Sequence, residues 1–206
     1  MGATYSQLIP VQELTPGQIS NIRNSSIQAV VAMASRELSL AEDRLVVRDI
    51  RPMTDLEMYD ADAATGTAED WIFDTATSGT GYKALCASRT MADQRYVCIF
   101  GVRDLRTNIG TTAINVTAAG TVKQNESAKL VSLLRFTVGG AYKVIWDTNV
   151  MEAYKDNMVA FSPSVVIIPQ NVSYQIEAFK DAAKEGDVML QLIGVVVEPR
   201  GLVISP

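Results

Sequence analysis

The 206-residue chain contains no histidine. That absence removes the Ser-His-Asp and Cys-His catalytic constellations, imidazole metal ligands and the commonest general base. Cysteine is nearly absent too: only Cys86 and Cys98 occur, they form no CxxC pair, and a Cys/His zinc site is excluded with the histidines. Both sit in apolar stretches and read as buried thiols acting as small hydrophobes. The minor reading is a disulfide between paired strands that face each other across a hairpin. Aromatic residues make up 7%, and Trp71 and Trp146, each flanked by apolar strand residues, read as core anchors before sugar platforms.

Charge of one sign is also missing. Arg44, Arg48 and Arg51 form the densest basic stretch, yet Asp43 and Asp49 are interleaved with them, and the net charge is −5. Phosphate neutralisation supplies most of a nucleic-acid binder's affinity, so no nucleic-acid partner is expected. No uninterrupted apolar run approaches the roughly 18 residues of a membrane span. The start shows no basic segment followed by an apolar run, so no secretory signal is visible, and synthesis in a reducing cytoplasm is expected. Gly2 and Ser6 fit the short myristoylation template, a pattern that recurs by chance.

What is present points to strands. Hydrophobic residues reach 48% and charged residues 20%, ordinary for a globular chain long enough to bury a core without disulfides or metal. Residues 1–14 read as an extended lead-in with a proline at Pro10. Thr15 as N-cap and Pro16 at the first helical position then start a helix over 16–38. Its narrow apolar stripe runs Ile19, Ile22, Ile27, Val30, Ala34 and Leu38. Ser39 and Glu42 match a second capping box, which predicts a further short turn.

From residue 45 onward strands follow one another with turn signals between them. Expected strands lie at 45–50, 71–75, 82–88, 95–103, 113–118, 129–138, 141–147, 165–168, 173–179 and 188–197, with Gly139-Gly140 as the clearest tight hairpin. Without alternating helices, this succession predicts a mainly β protein: an antiparallel β-sandwich or jelly roll over 45–206, preceded by an arm and amphipathic helix over 1–44. Tyr174, Ile176 and Ala178 should share one face of their strand, and Ser173, Gln175 and Glu177 the other. Residues 188–197 are apolar almost throughout, so that strand should be covered on both faces, by core on one side and by a helix or another subunit on the other.

No catalytic motif emerges, and the chain is expected not to be an enzyme. Thr77-Ser78-Gly79-Thr80-Gly81 lacks the lysine and helix of a phosphate cradle. Asp60, Asp62, Glu69 and Asp70 fall in an Ala/Thr/Gly segment, which reads first as a solvated loop and second as a Ca²⁺ loop, although the EF-hand spacing fails. A carboxylate hydrolase ranks low. No cofactor or metal is expected. Sequons at Asn24, Asn115, Asn125 and Asn171 carry no glycosylation meaning without a signal.

A β body behind some forty residues of arm and helix is a recurring plan for assembly subunits. The arm and stripe residues Tyr5, Leu8, Ile9, Val11, Leu14, Ile19, Ile22, Ile27 and Val30 are the candidate assembly interface; equally, residues 1–40 could pack over one sheet of their own domain. Trimeric closure would bury the stripe economically, so a homo-oligomer, a trimer first, is expected. The run Ser164–Phe179, with its strand, Pro169-Gln170-Asn171 corner and second strand, looks like a corner of jelly-roll domains, and 188–197 is similar to their last strand. With the helical arm, the chain resembles the cement or decoration proteins of tailed-bacteriophage capsids. That resemblance implies a virion component, made in the host cytoplasm, that clamps neighbouring major capsid proteins. The alternative is a non-catalytic carbohydrate- or receptor-binding sandwich, with Tyr82, Tyr96, Tyr142 and Tyr154 as candidate ligand-facing aromatics.

Overall fold

The computed structural model describes residues 3–51, 55–56, 72–73, 81–104, 131–148, 159–180 and 188–201. The expected strand at 113–118, the acidic segment 60–70, Trp71, Tyr154 and Gly2 lie outside them, and of Tyr82 only the backbone is described.

Eleven strands and one helix are seen in the described residues: β1 (Thr4–Gln7), β2 (Ile9–Pro10), α1 (Pro16–Leu38), β3 (Leu45–Asp49), β4 (Ile72–Phe73), β5 (Gly81–Thr90), β6 (Tyr96–Asp104), β7 (Val131–Val138), β8 (Tyr142–Asp147), β9 (Val159–Ile168), β10 (Ser173–Lys180) and β11 (Val188–Pro199). They build a β-sandwich. One sheet runs β1-β8-β7-β10-β5 and the other β2-β9-β6-β11-β3, with β4 beside β11. Four pairings are nested: β7 with β8, β6 with β9, β5 with β10 and β3 with β11, all antiparallel. Successive nests fall alternately in the two sheets.

Alternation fills the space between the sheets. Val97 and Ile99 from β6, Leu134 and Phe136 from β7, Val144 and Trp146 from β8, and Tyr174, Ile176 and Ala178 from β10 form one buried cluster. The expected split of β10 into an inner and an outer face is therefore seen. Phe136 and Trp146 meet at 4.7 Å with rings tilted by 60°, a favourable aromatic geometry. The Trp146 indole N–H donates to the Ser164 carbonyl 3.1 Å away, tying the sheets together and satisfying the buried indole donor.

A second cluster lies outside the sandwich. Tyr96, Cys98, Phe100, Phe161, Val195 and Val197 point away from the inner core and are covered by Val30 and Ala34 of α1, with Ile19, Ile22, Ile27 and Leu38 packed around them. Thus β11 is apolar on both faces because its outer face lies under a helix of its own chain. Burying Val30 completely contributes about 1.5–3 kcal/mol.

The helix starts where its sequence says. The Thr15 side chain accepts from the Gln18 N–H at 3.3 Å, and the Thr15 N–H donates to Gln18 Oε1 at 2.8 Å. This reciprocal pair is the chain's capping box. The box expected at Ser39 and Glu42 is not formed. Ser39 instead ends α1 in the left-handed conformation, and the 3₁₀ turn Glu42–Arg44 has no side-chain cap.

The lead-in is not merely extended. β1 pairs with β8 in parallel, β2 pairs with β9, and Leu8 between them enters the inner core. The arm thus crosses from one sheet to the other along the β8/β9 side of the sandwich. The two cysteines lie in different sheets, Cys86 in the inner cluster and Cys98 under the helix, and both are free thiols. They cannot face each other across a hairpin.

Candidate functional site

Three polar arrangements stand out. The first closes one end of the sandwich. Arg48 on β3 and Glu198 on β11 are brought together by the antiparallel register of those strands. Asp55, whose side chain is 4% exposed, accepts from both terminal nitrogens of Arg48 at 2.7 Å and from the Arg51 N–H at 2.7 Å. Arg95 at the entrance to β6 donates through Nε to Glu198 at 2.5 Å, and its NH1 lies 3.8 Å from Asp55. Two cations and two anions balance. Burial opposes ionisation of Asp55, but the Arg48 fork, the Arg51 N–H and the charges of Arg48 and Arg95 outweigh it, and the carboxyl sits below its ordinary value. The same hydrogen bond from Arg48 to Asp55 raises the arginine, against the cost of its own burial.

The residue after Asp55 completes the closure. The Leu56 side chain is fully buried, and its carbonyl accepts from Tyr174 Oη at 2.9 Å and Cys86 Sγ at 3.0 Å. Asp55 is held by the β3-β11-β6 side, Leu56 by β10 and β5. Two consecutive residues therefore bind both sheets. Every charged group in this quartet is matched by a neighbour of opposite sign.

The second arrangement anchors the helix. Tyr96 is fully buried beneath α1, and its hydroxyl donates to Glu37 Oε2 at 2.9 Å. Burial raises this phenol, and the hydrogen bond and charge of Glu37 add to the shift, with a smaller contribution from Asp93. Burial alone pushes the Cys98 thiol up to about 12. A thiol held so far from thiolate is a poor nucleophile and metal ligand at neutral pH.

The third lies on the outer face of the β1-β8-β7-β10-β5 sheet, which no described helix covers. A groove of about 260 Å³ opens there, lined by Ser88 of β5, Gln175 and Glu177 of β10, Arg135 and Thr137 of β7, and Lys143 of β8. Register explains the assembly. Arg135 stands directly opposite Glu177, and Thr137 lies between Gln175 and Lys143. Arg135 Nε and NH2 donate to the two Glu177 oxygens at 2.7 and 2.9 Å. With this pair neutralised internally, Lys143 leaves the groove a net positive charge. Gly139 and Gly140, both with positive φ, make the turn that brings β8 back beside β7.

The residues expected from sequence to contact other subunits divide into three. Leu8 lies in the inner core and Val30 on the buried face of α1, so both are consumed within the subunit. Ile9, Val11, Leu14, Ile19, Ile22 and Ile27 are half-buried. Tyr5 is 60% exposed, with its hydroxyl donating to Asp147 Oδ2 at 2.9 Å. Of the candidate ligand-facing tyrosines, Tyr142 is exposed and Tyr96 is not. The groove residues were not foreseen as a set; the alternation of Ser173, Gln175 and Glu177 was the one signal of a polar outer face.

Among the described residues no group of three or more Cys, Asp or Glu side chains could hold a metal ion, and no helix is long and apolar enough to cross a membrane. The fold and site thus define a helix-covered β-sandwich with a polar outer groove. The chain matches no protein-family model, no curated protein and no solved structure.

Proposed function

We propose that this protein is a non-enzymatic structural subunit of a viral particle, with a jelly-roll body, that stabilises contacts between major capsid proteins as a cement or decoration subunit. The observation that carries the reading is the nested pairing β3·β11, β5·β10, β6·β9 and β7·β8 split between two facing sheets. Rolling such a ribbon produces a jelly roll, an architecture that recurs in viral capsid and lectin domains. The step from architecture to role is an analogy of fold, joined to the arm-and-helix plan of the chain.

Assembly must use surface the subunit has not already consumed. Tyr5 on β1 is its most exposed large apolar side chain among the described residues, with Tyr142 and Val47 also open. The half-buried residues Ile9, Val11, Leu14, Ile19, Ile22 and Ile27 supply a broken apolar strip of their own. A stable contact needs about 1,600 Å² in total, and symmetric repetition around a shell multiplies modest contacts. The homo-oligomer proposed is a trimer.

Light scattering on the full chain from micromolar to millimolar concentration tests this. A trimer that weakens in Tyr5→Ala, with an unchanged melting temperature, is the expected result. A monomer across the whole range would remove the assembly reading.

A further inference from the structure

Independently of any assembly role, we propose that the groove on the outer face of the β1-β8-β7-β10-β5 sheet binds one ring of an anionic saccharide. The two observations behind this are the spacing of its hydrogen-bonding groups and its charge.

Spacing follows from the sheet. Lys143, Thr137 and Gln175 are successive cross-strand partners on β8, β7 and β10, and Ser88 of β5 borders the same groove. Neighbouring strands lie about 4.8 Å apart, so the face presents an ammonium, a hydroxyl and an amide in one row, with a further hydroxyl beyond. The hydroxyls and the amide both donate and accept, and the ammonium donates, which matches the vicinal hydroxyls of a sugar ring. Beside the row, the Arg135–Glu177 fork is fixed by two short bonds, with Glu177 buried and Arg135 half-buried. Its geometry is set before any ligand arrives.

Charge selects among saccharides. Glu177 offsets Arg135, whereas Lys143 has no ion-pair partner among the described residues and is exposed. A neutral sugar would use the row and ignore this cation. A carboxylate or sulfate on the ring would pair with it through a charge-assisted hydrogen bond, about twice as strong as a neutral one.

Size limits the occupant. At about 260 Å³ the groove falls just under the usual range of ligand sites, about 300–1,000 Å³. It accommodates a single ring, with the rest of a glycan running out over the open face. The apolar lining is small, so affinity comes from polar contacts exposed to water. Dissociation constants on the order of 0.1–10 mM follow for an isolated oligosaccharide, and repetition on an assembly would strengthen them.

The test is an NMR titration of the full-length protein with three trisaccharides: one uronic-acid, one sulfated and one neutral. Expected are saturable shifts of the Thr137, Lys143 and Gln175 amides with an anionic trisaccharide, which of the two identifying the anion. Lys143→Ala should weaken binding about tenfold and Thr137→Val severalfold, with melting temperatures unchanged. Added salt should weaken it as well. Equal binding of the neutral trisaccharide, equal binding by Lys143→Ala, inorganic phosphate competing as well as the anionic sugar, or no saturable shift at 20 mM would each overturn the proposal. None of these outcomes bears on the oligomeric state.

Discussion

Arg48 holds Asp55 through both of its terminal guanidinium nitrogens at 2.7 Å. The pair does more than close a loop. Asp55 is followed by Leu56, whose carbonyl serves the opposite sheet through Tyr174 and Cys86. One ion pair therefore positions a backbone carbonyl that β5 and β10 share.

Replacing Asp55 with Ala leaves Arg48 and Arg95 against Glu198 alone. Removing one partner of a buried pair costs several kcal/mol, and the partial exposure of the two arginines reduces that. A loss of roughly 2–4 kcal/mol is expected, read as a fall in the urea midpoint.

The same carboxyl gives the protein an acid limit. Asp55 titrates below its free value of 3.8 when folded, so the unfolded chain binds the proton first. The stability it contributes is complete at neutral pH and is lost as pH falls from about 4 through the folded value. Melting temperatures measured from pH 6 to pH 2 should drop over this interval, and the drop should shrink in Asp55→Asn.

At the alkaline end the sign reverses. Cys98 is pushed from 9.0 up to about 12 by burial, and Tyr96 is raised from 10.0. Both groups keep their protons in the folded state after the unfolded chain has lost them. Stability is therefore intact below about pH 9 and declines as pH rises through the folded values. Cys98→Val should flatten the first part of that decline. Thiol titration offers an independent check: neither buried cysteine should react with a disulfide reagent at pH 8 until denaturant unfolds the protein.

Gly194 on β11 leaves no room for a side chain. A side chain there would run into the Cys98 carbonyl oxygen and come within 3.0 Å of the Ile99 Cα, both backbone atoms. Between Ile193 and Gly194 the register skips Phe100 of β6, while Ile193 and Val195, two apart on β11, keep one face toward the helix. Gly194→Ala should cost about 1–3 kcal/mol by forcing the strands apart, visible as a lower urea midpoint. Gly17, with open space around it, is the control: Gly17→Ala should be neutral or slightly stabilising.

Much of this architecture was legible in the sequence, and the reasons are local. The helix 16–38 carried its own start signal in Thr15 and Pro16, and its stripe continued without a breaker. Strands 45–49 and 173–180 showed clear alternation or apolar runs, and Gly139-Gly140 marked the hairpin. The first half of β9 was not visible, because Ser162-Pro163-Ser164 reads as a break. In the structure those residues fall where the β6 register jumps from Phe161 to Val166, and the Ser162 hydroxyl accepts from the Ser164 N–H. A proline is tolerated there because no ladder bond is required of it.

The polar sites were less legible, for a different reason. Arg48 and Asp55 are near neighbours in the chain, but Arg95 and Glu198 are far from them and join them only through the pairing of β3, β6 and β11. The groove likewise depends on which strand lies beside which, and sequence alternation fixes the face of a residue without naming its neighbour. Whether the arm packs on its own sheets was equally open from pattern alone; Leu8 and Val30 answer it for their part by being buried at home.

The nested pairing has a consequence for how the chain comes to be folded. β3 is made early, yet its partner β11 is made almost last, and β5 must likewise wait for β10. Pairings so distant in sequence form slowly. During synthesis on the ribosome the early strands therefore stand with their edges unsatisfied while the later ones are still being translated. A protein of this design should depend on its rate of production and on holding factors in the cell more than its final stability would suggest.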